Sequence, residues 1–167
     1  MSAVVSKLLQ QRLAHQHLHQ GRGIHGVEHW RRVEANGRMV GEALGADLVV
    51  ISYFAWFHDA RRLNDDFDPD HGLRGGELAL ELNPQFMKLS PRQLDQLYTA
   101  CCGHTDERTH PDVTIACCWD GDRLDLVRLG FRIRPALMAT PLGGTEAMIT
   151  AATIRYRTWQ PEAKRSG

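Results

Sequence analysis

Apolar residues in this chain recur at helical spacing, and nowhere do they alternate with polar ones over the length of a strand. From about Gly26 to Leu44, the residues Trp30, Val33, Gly37, Val40 and Leu44 share one face, while Arg31, Arg32, Glu34 and Arg38 fall elsewhere. That pattern predicts an amphipathic helix. Asp47 is placed to cap a second helix, Leu48 to about Asp59, which is apolar on nearly every side and belongs in the middle of the fold. Val4 to Leu18, interrupted by Lys7, Gln10, Gln11, Arg12 and His15, reads as a further amphipathic helix. The Asn, Asp, Pro and Gly residues of Arg61 to Gly76 mark a loop or irregular turn. Ser90-Pro91-Arg92-Gln93 is a capping box with proline at the first helical position, followed by Leu94, Leu97, Tyr98 and Cys101 and stopped by Gly103. Thr109-His110-Pro111-Asp112 repeats the start signal before Val113 to Trp119. A last helix, roughly Glu146 to Trp159, offers Met148, Ile149, Ala152 and Tyr156 as its inner face. The expected fold is all-α, a compact helical bundle forming one domain over residues 1–167.

Composition narrows the function classes. With 43% hydrophobic and 24% charged residues, the chain is expected to fold rather than stay disordered. Its net charge of +0 provides no global field for nucleic acid or acidic membranes. Three of its twenty basic residues are lysines, and arginine forks suit phosphate oxygens, although codon usage gives the same bias. The N-terminal stretch does not resemble a secretion signal, and no apolar run is long enough to span a bilayer, so a cytoplasmic protein is expected. The adjacent pairs Cys101-Cys102 and Cys117-Cys118 lack the C-x₂-C spacing of zinc sites and read as buried, reduced thiols. Trp30, Trp56, Trp119 and Trp159 read as core. Helical bundles of this size often pair, and a homodimer is a candidate assembly.

The candidate chemistry lies in the histidines and carboxylates, with nine histidines in the chain. At about 100° per residue, His29 sits roughly 60° from the centre of its helix's apolar face and His25 roughly 100° away. His29 therefore leans toward the core, either as a hydrogen-bonded structural residue or as a ligand. His58-Asp59 ends the most hydrophobic helix, where an imidazole and a carboxylate are costly unless paired or bound to a cation. The same dipeptide would also suit a helix end that has reached solvent. Asp120, Asp122 and Asp125 follow the apolar stretch Ile115 to Trp119, and no glutamate closes an EF-hand loop. Two imidazoles and two carboxylates would make a mixed N/O set suited to Mn, Fe, Co, Ni or Zn.

In this order, His29 within His29-Trp30-Arg31-Arg32-Val33, then His58-Asp59, then Asp122 within Asp120-Gly121-Asp122-Arg123-Leu124-Asp125, the chain resembles the H…HD…D signature of the HD metal-dependent phosphohydrolase superfamily. The match spans about Gly23 to Arg128, with Gly121 where the family often has a small apolar residue. The resemblance implies a divalent ion (Mn, Fe, Co, Ni, Zn or Mg) on His29, His58, Asp59 and Asp122. It also points to His71, at an HxxxGA-like helix start, and to His104, as ligands of a second ion or as phosphate-contacting or proton-donating residues. The Gly-Tyr-Pro hallmark of the cyclic-dinucleotide phosphodiesterases is absent.

The implied activity is hydrolysis of a phosphoester or nucleotide by metal-activated water, with a single ion as the leading expectation. Asp59 is then a ligand and base, His71 a proton donor and Arg123 a phosphate contact. Arg62 and Arg74 are expected to be solvated. A small phosphorylated substrate, such as a nucleotide, is the expected partner, with neither membrane nor nucleic acid. Two other readings share the residues: a dinuclear iron oxygenase, which needs both His71 and His104 as ligands, and a regulatory domain that binds metal or nucleotide without turnover.

Overall fold

The computed structural model describes residues 4–161; residues 1–3 and 162–167, the two ends of the expected domain, lie outside the described residues. The helices are α1 (Lys7–Gln16), α2 (Val27–Leu44), α3 (Leu48–Phe57), α4 (His71–Leu82), α5 (Pro91–Gly103), α6 (Val113–Leu124) and α7 (Glu146–Thr158). A π-helical turn, Asn83–Met87, prolongs α4, and a 3₁₀ turn, Asp125–Leu129, prolongs α6. No strand occurs among the described residues, so the chain is all-α.

Local chemistry sets the helix starts. Asp47 accepts hydrogen bonds from the Val49 and Val50 amides at 2.9 and 3.3 Å, and Asp112 does the same for Thr114 and Ile115. Ser90 and Gln93 form the expected capping box. Helix α2 ends at Gly45, whose φ of 70° lies in the left-handed region that glycine adopts without a steric cost.

Helix α3 is the axis of the fold. Val50 to Phe57 are all buried, and α2, α5 and α6 pack around them. Helix α4 lies along α5, while α7 crosses α2 and the turn after α6. The buried apolar side chains form one cluster that includes Trp30, Trp56 and Trp119. Cys101, Cys117 and Cys118 belong to it as free thiols, and burial pushes Cys117 up to about 12. Among the described residues, no helix is long and apolar enough to cross a membrane.

Five boundaries, faces and burials differ from expectation. Residues 71–76 are helical, because Gly72 serves contact rather than turning: a Cβ there would stand 2.2 Å from the Cys101 carbonyl oxygen of α5. Helix α6 continues past Trp119 to Leu124, so the aspartate motif is helical. Leu44 is exposed in the last turn of α2. On α7 only Ala152 is fully buried; Tyr156 lies toward solvent, its ring 5.3 Å from the Arg32 guanidinium carbon. Trp159 is likewise only half-buried, and its indole donates to Glu28 at 2.5 Å.

Candidate metal centre

The crossing of α2 and α6 sets up the first group of donors. A Cβ on Gly121 would stand 2.8 Å from the Val33 carbonyl oxygen and 2.9 Å from Gly37 Cα. The two backbones therefore touch, and Asp122 on α6 is brought beside His29 on α2. His58 closes α3 and Asp59 sits in the turn that follows. His29 Nε2 lies 3.1 Å from His58 Nε2, 3.5 Å from Asp59 Oδ2 and 3.4 Å from Asp122 Oδ1. His58 Nε2 lies 3.6 Å from each of the same two carboxylate oxygens. Donors about 2.1 Å from a common ion stand roughly 3.0–3.4 Å from one another, so His29, His58 and Asp59 have close to the spacing of a ligand set, and Asp122 lies at ligand spacing from both histidines.

A second group abuts the first through Asp59. His71, at the start of α4, and His104, at the end of α5, bring their Nε2 atoms to 2.9 Å, and His71 Nε2 lies 3.3 Å from Asp59 Oδ1. Each ring's Nδ1 faces a carbonyl, Asp68 at 2.5 Å and Cys101 at 2.7 Å, which fixes the proton on Nδ1. Burial lowers His71, and burial together with the charge of His58 lowers His104 to about 4. Both rings are therefore neutral at neutral pH. Three acceptor atoms then meet with no hydrogen among them, an arrangement that suits a cation. With that tautomer His71 offers a lone pair at Nε2, where the sequence suggested a proton donor.

Charge favours cations in the first group as well. Burial and the charge of Arg128 act to lower His29, but its hydrogen bonds with Asp122, Asp125 and Asp59 prevail and push it up to about 9. In the metal-free chain a proton thus occupies the place where an ion fits. Burial would raise Asp59, yet the charge of His58 and hydrogen bonds from His25 and His29 hold it well below the usual carboxylate range. A carboxylate that stays ionised suits a ligand better than a general base. Burial also opposes ionisation of Asp122, and its hydrogen bonds from His29 and His58 hold it low too.

No family model and no curated protein matches the chain. Among solved structures it is similar to the crystal structure of a predicted HD superfamily hydrolase from an uncultured Thermotogales bacterium. The TM-score is 0.64 and the identity 21%, over 90% of this chain and 85% of that one. The chain shares the fold of that protein.

Around the HD turn the structure adds residues to which the sequence reading gave no part in holding the donors. His25 Nδ1 lies 2.8 Å from Asp59 Oδ2. Arg62, expected in solvent, is buried; it donates to Asp59 Oδ1 at 3.4 Å and to the Asn64 and Asp66 carbonyls. Arg74 is paired with Asp68 at 2.5 Å rather than free in solvent. Asp125, 1% exposed, accepts from His29 Nδ1 at 2.7 Å and from Arg32 through two hydrogen bonds of 2.8 and 3.1 Å. The spacing held a signal for two of these: His25 is one helical turn before His29, and Asp125 completes the alternate aspartates.

Above the donor groups opens a cavity of about 780 Å³, with Asp59, His71, His104 and Asp122 among its lining. Arg123 also borders it, but its guanidinium is committed elsewhere. It donates to the carbonyls of Arg108 at 2.7 Å, Leu137 at 3.1 Å and Glu107, and lies over the Trp119 ring. It thereby ties two rim loops to α6, where the sequence suggested a phosphate contact. Asp120 does similar work: it accepts from the Ala139 and Thr140 amides at 2.6 and 3.0 Å and from the Thr140 hydroxyl at 2.5 Å.

Proposed function

We propose that the chain is a metal-dependent phosphoester hydrolase that holds divalent ions in two donor groups sharing Asp59. One observation carries this reading: the two oxygens of a single buried carboxylate face two separate histidine pairs at the floor of one cavity. The description of the structural neighbour as an HD superfamily hydrolase supports hydrolysis. His29, His58, Asp59 and Asp122 would hold one ion, and His71, His104 and Asp59 the other, where the sequence favoured a single ion. The nitrogen and oxygen donors suit Mn, Fe, Co, Ni or Zn, with Mg as a further candidate.

A bound divalent ion supplies a water acidified from 15.7 toward about 7 and polarises a phosphoryl oxygen. The protein's part is to hold the donors. His25 and Arg62 fix Asp59 from outside, the Asp68 and Cys101 carbonyls orient His71 and His104, and Asp125 orients His29. The enclosing helices keep bulk water away from the donor atoms, most of which are buried.

A shared carboxylate between two histidine pairs also suits a dinuclear iron oxygenase, which makes a second reading. One experiment separates them. Metal-free protein is reloaded with each candidate ion and assayed for phosphate release from phosphomonoesters, phosphodiesters and nucleotides. Release that depends on the added ion and stops with chelator is expected. Dioxygen consumption by iron-loaded protein, with no phosphate released under any ion, would replace the hydrolase with the oxygenase. Nucleotide binding with neither activity would leave a regulatory binding domain.

A further inference from the structure

The cavity is larger than a phosphate group requires, and its rim is built unlike its floor. Pockets of about 300–1,000 Å³ enclose drug-sized organic ligands, and this one falls in that range at about 780 Å³. Two phenylalanines line it with their side chains mostly in water, Phe67 at 85% and Phe131 at 61% exposure. Leu129 and Leu137 line it beside them and are also exposed.

Both aromatic rings stand on braced backbone. The Phe67 carbonyl accepts from Asn64, and the neighbouring Asp68 accepts from the Leu63 amide at 2.8 Å and from Arg74 at 2.5 Å. Phe131 precedes Ile133, whose buried side chain anchors its loop, and Asp120 and Arg123 secure the residues that follow. An apolar ring presented to water from a fixed loop at a cavity mouth is what a ligand's apolar body needs. The same loop carries Arg132 and Arg134 into the lining. Both are exposed, and neither pairs with a carboxylate among the described residues. Arg62, Arg74, Arg123 and Arg128, by contrast, are engaged by the protein itself.

We infer that the substrate is a phosphoester with a sizeable apolar or aromatic body seated against Phe67 and Phe131, bearing a further anionic group that meets Arg132 and Arg134. The inference rests on the hydrolase reading only in directing the reacting phosphate toward the histidine and aspartate floor. The apolar walls recognise the body by area and ring stacking, and the two arginines recognise charge at the mouth.

Non-hydrolysable phosphonates separate recognition from turnover. Calorimetric titration of the metal-loaded protein would compare methylphosphonate, 1-naphthylmethylphosphonate and a carboxylated form of the latter. The naphthyl compound is expected to bind at least about tenfold tighter than the methyl one. The carboxylate should tighten it further, by a gain that shrinks with added salt. The double variant Phe67→Ala/Phe131→Ala removes the first gain, and Arg132→Ala/Arg134→Ala the second; all four side chains are exposed, and circular dichroism checks the fold. Equal affinities in the wild type, gains that survive the substitutions, or binding of none of the three would overturn the inference. If these affinities hold while no phosphoester is turned over, the hydrolase reading falls and the recognition site stands. Turnover without selective binding would leave the hydrolase and remove the site.

Discussion

Asp59→Ala protein is expected to retain neither ion and to lose phosphoester turnover by more than about a thousandfold, which is about 4 kcal/mol in the barrier. The reason is the sharing. Oδ2 lies among His29, His58 and His25, and Oδ1 lies beside His71 and Arg62. Removing His104 or Asp122 takes one donor from one group, whereas removing Asp59 takes one from each. The substitution also deprives the buried His25 and Arg62 of an anionic partner, so the fold is checked by circular dichroism before metal is measured. Asp59→Asn keeps the volume and one oxygen but not the charge, and elemental analysis should still find it depleted. An Asp59→Ala protein that is folded and carries wild-type metal would end the assignment.

Asp125→Ala should have the next largest effect, and on two readouts at once. Asp125 touches no ion in the proposed arrangement. It accepts from His29 Nδ1, leaving Nε2 to face the donor group, and it neutralises Arg32 through two hydrogen bonds. Removing one partner of a buried pair costs about 3–5 kcal/mol, because the remaining charge is stranded. Arg32 is 8% exposed, and its other contacts among the described residues are the Tyr156 and Trp159 rings of the α7 end, so no carboxylate among the described residues replaces the one lost. Metal affinity should fall about 10–100-fold through loss of His29 orientation. Thermal or urea unfolding reads the first effect and a metal titration the second. Asp125→Asn, which still accepts from His29, should recover part of the affinity while leaving Arg32 uncompensated. Unchanged stability in Asp125→Ala would show that Arg32 finds solvent easily and that the pair is not a keystone of α2.

Much of the architecture was legible because local and tertiary signals agreed. Helix α3 is apolar on every side and proves central; Ser90 to Gln93 cap α5 as their order predicts. The misplaced boundaries at residues 71–76 and after Trp119 share one cause. Gly72, Asp120 and Gly121 look like turn residues when their partners are unknown. In the folded chain Gly72 admits the α5 backbone, Gly121 admits α2, and Asp120 has its oxygens satisfied by Ala139 and Thr140. Each obeys a contact from far along the chain, which no local window contains.

The donor residues followed a similar division. The motif order singled out His29, His58, Asp59 and Asp122, and the fold brings His29 and His58 to 3.1 Å from each other and each of them to 3.4–3.6 Å from both carboxylates. His71 and His104, separated by 33 residues, meet only because α4 lies along α5. The arginines could not be sorted from sequence at all. Arg62 is buried beside Asp59, Arg123 is spent on backbone carbonyls, and Arg132 and Arg134 remain exposed at the cavity mouth. Their chemistry is identical, and only the packing distinguishes them.

The most direct test of the central claim is a crystal structure of the manganese-loaded protein, with data collected to reveal anomalous scattering. Two anomalous peaks are predicted, one among His29, His58, Asp59 and Asp122 and one among Asp59, His71 and His104, both touching the Asp59 carboxylate. A metal-loaded crystal whose peaks lie away from Asp59, or that has none at all, would contradict it.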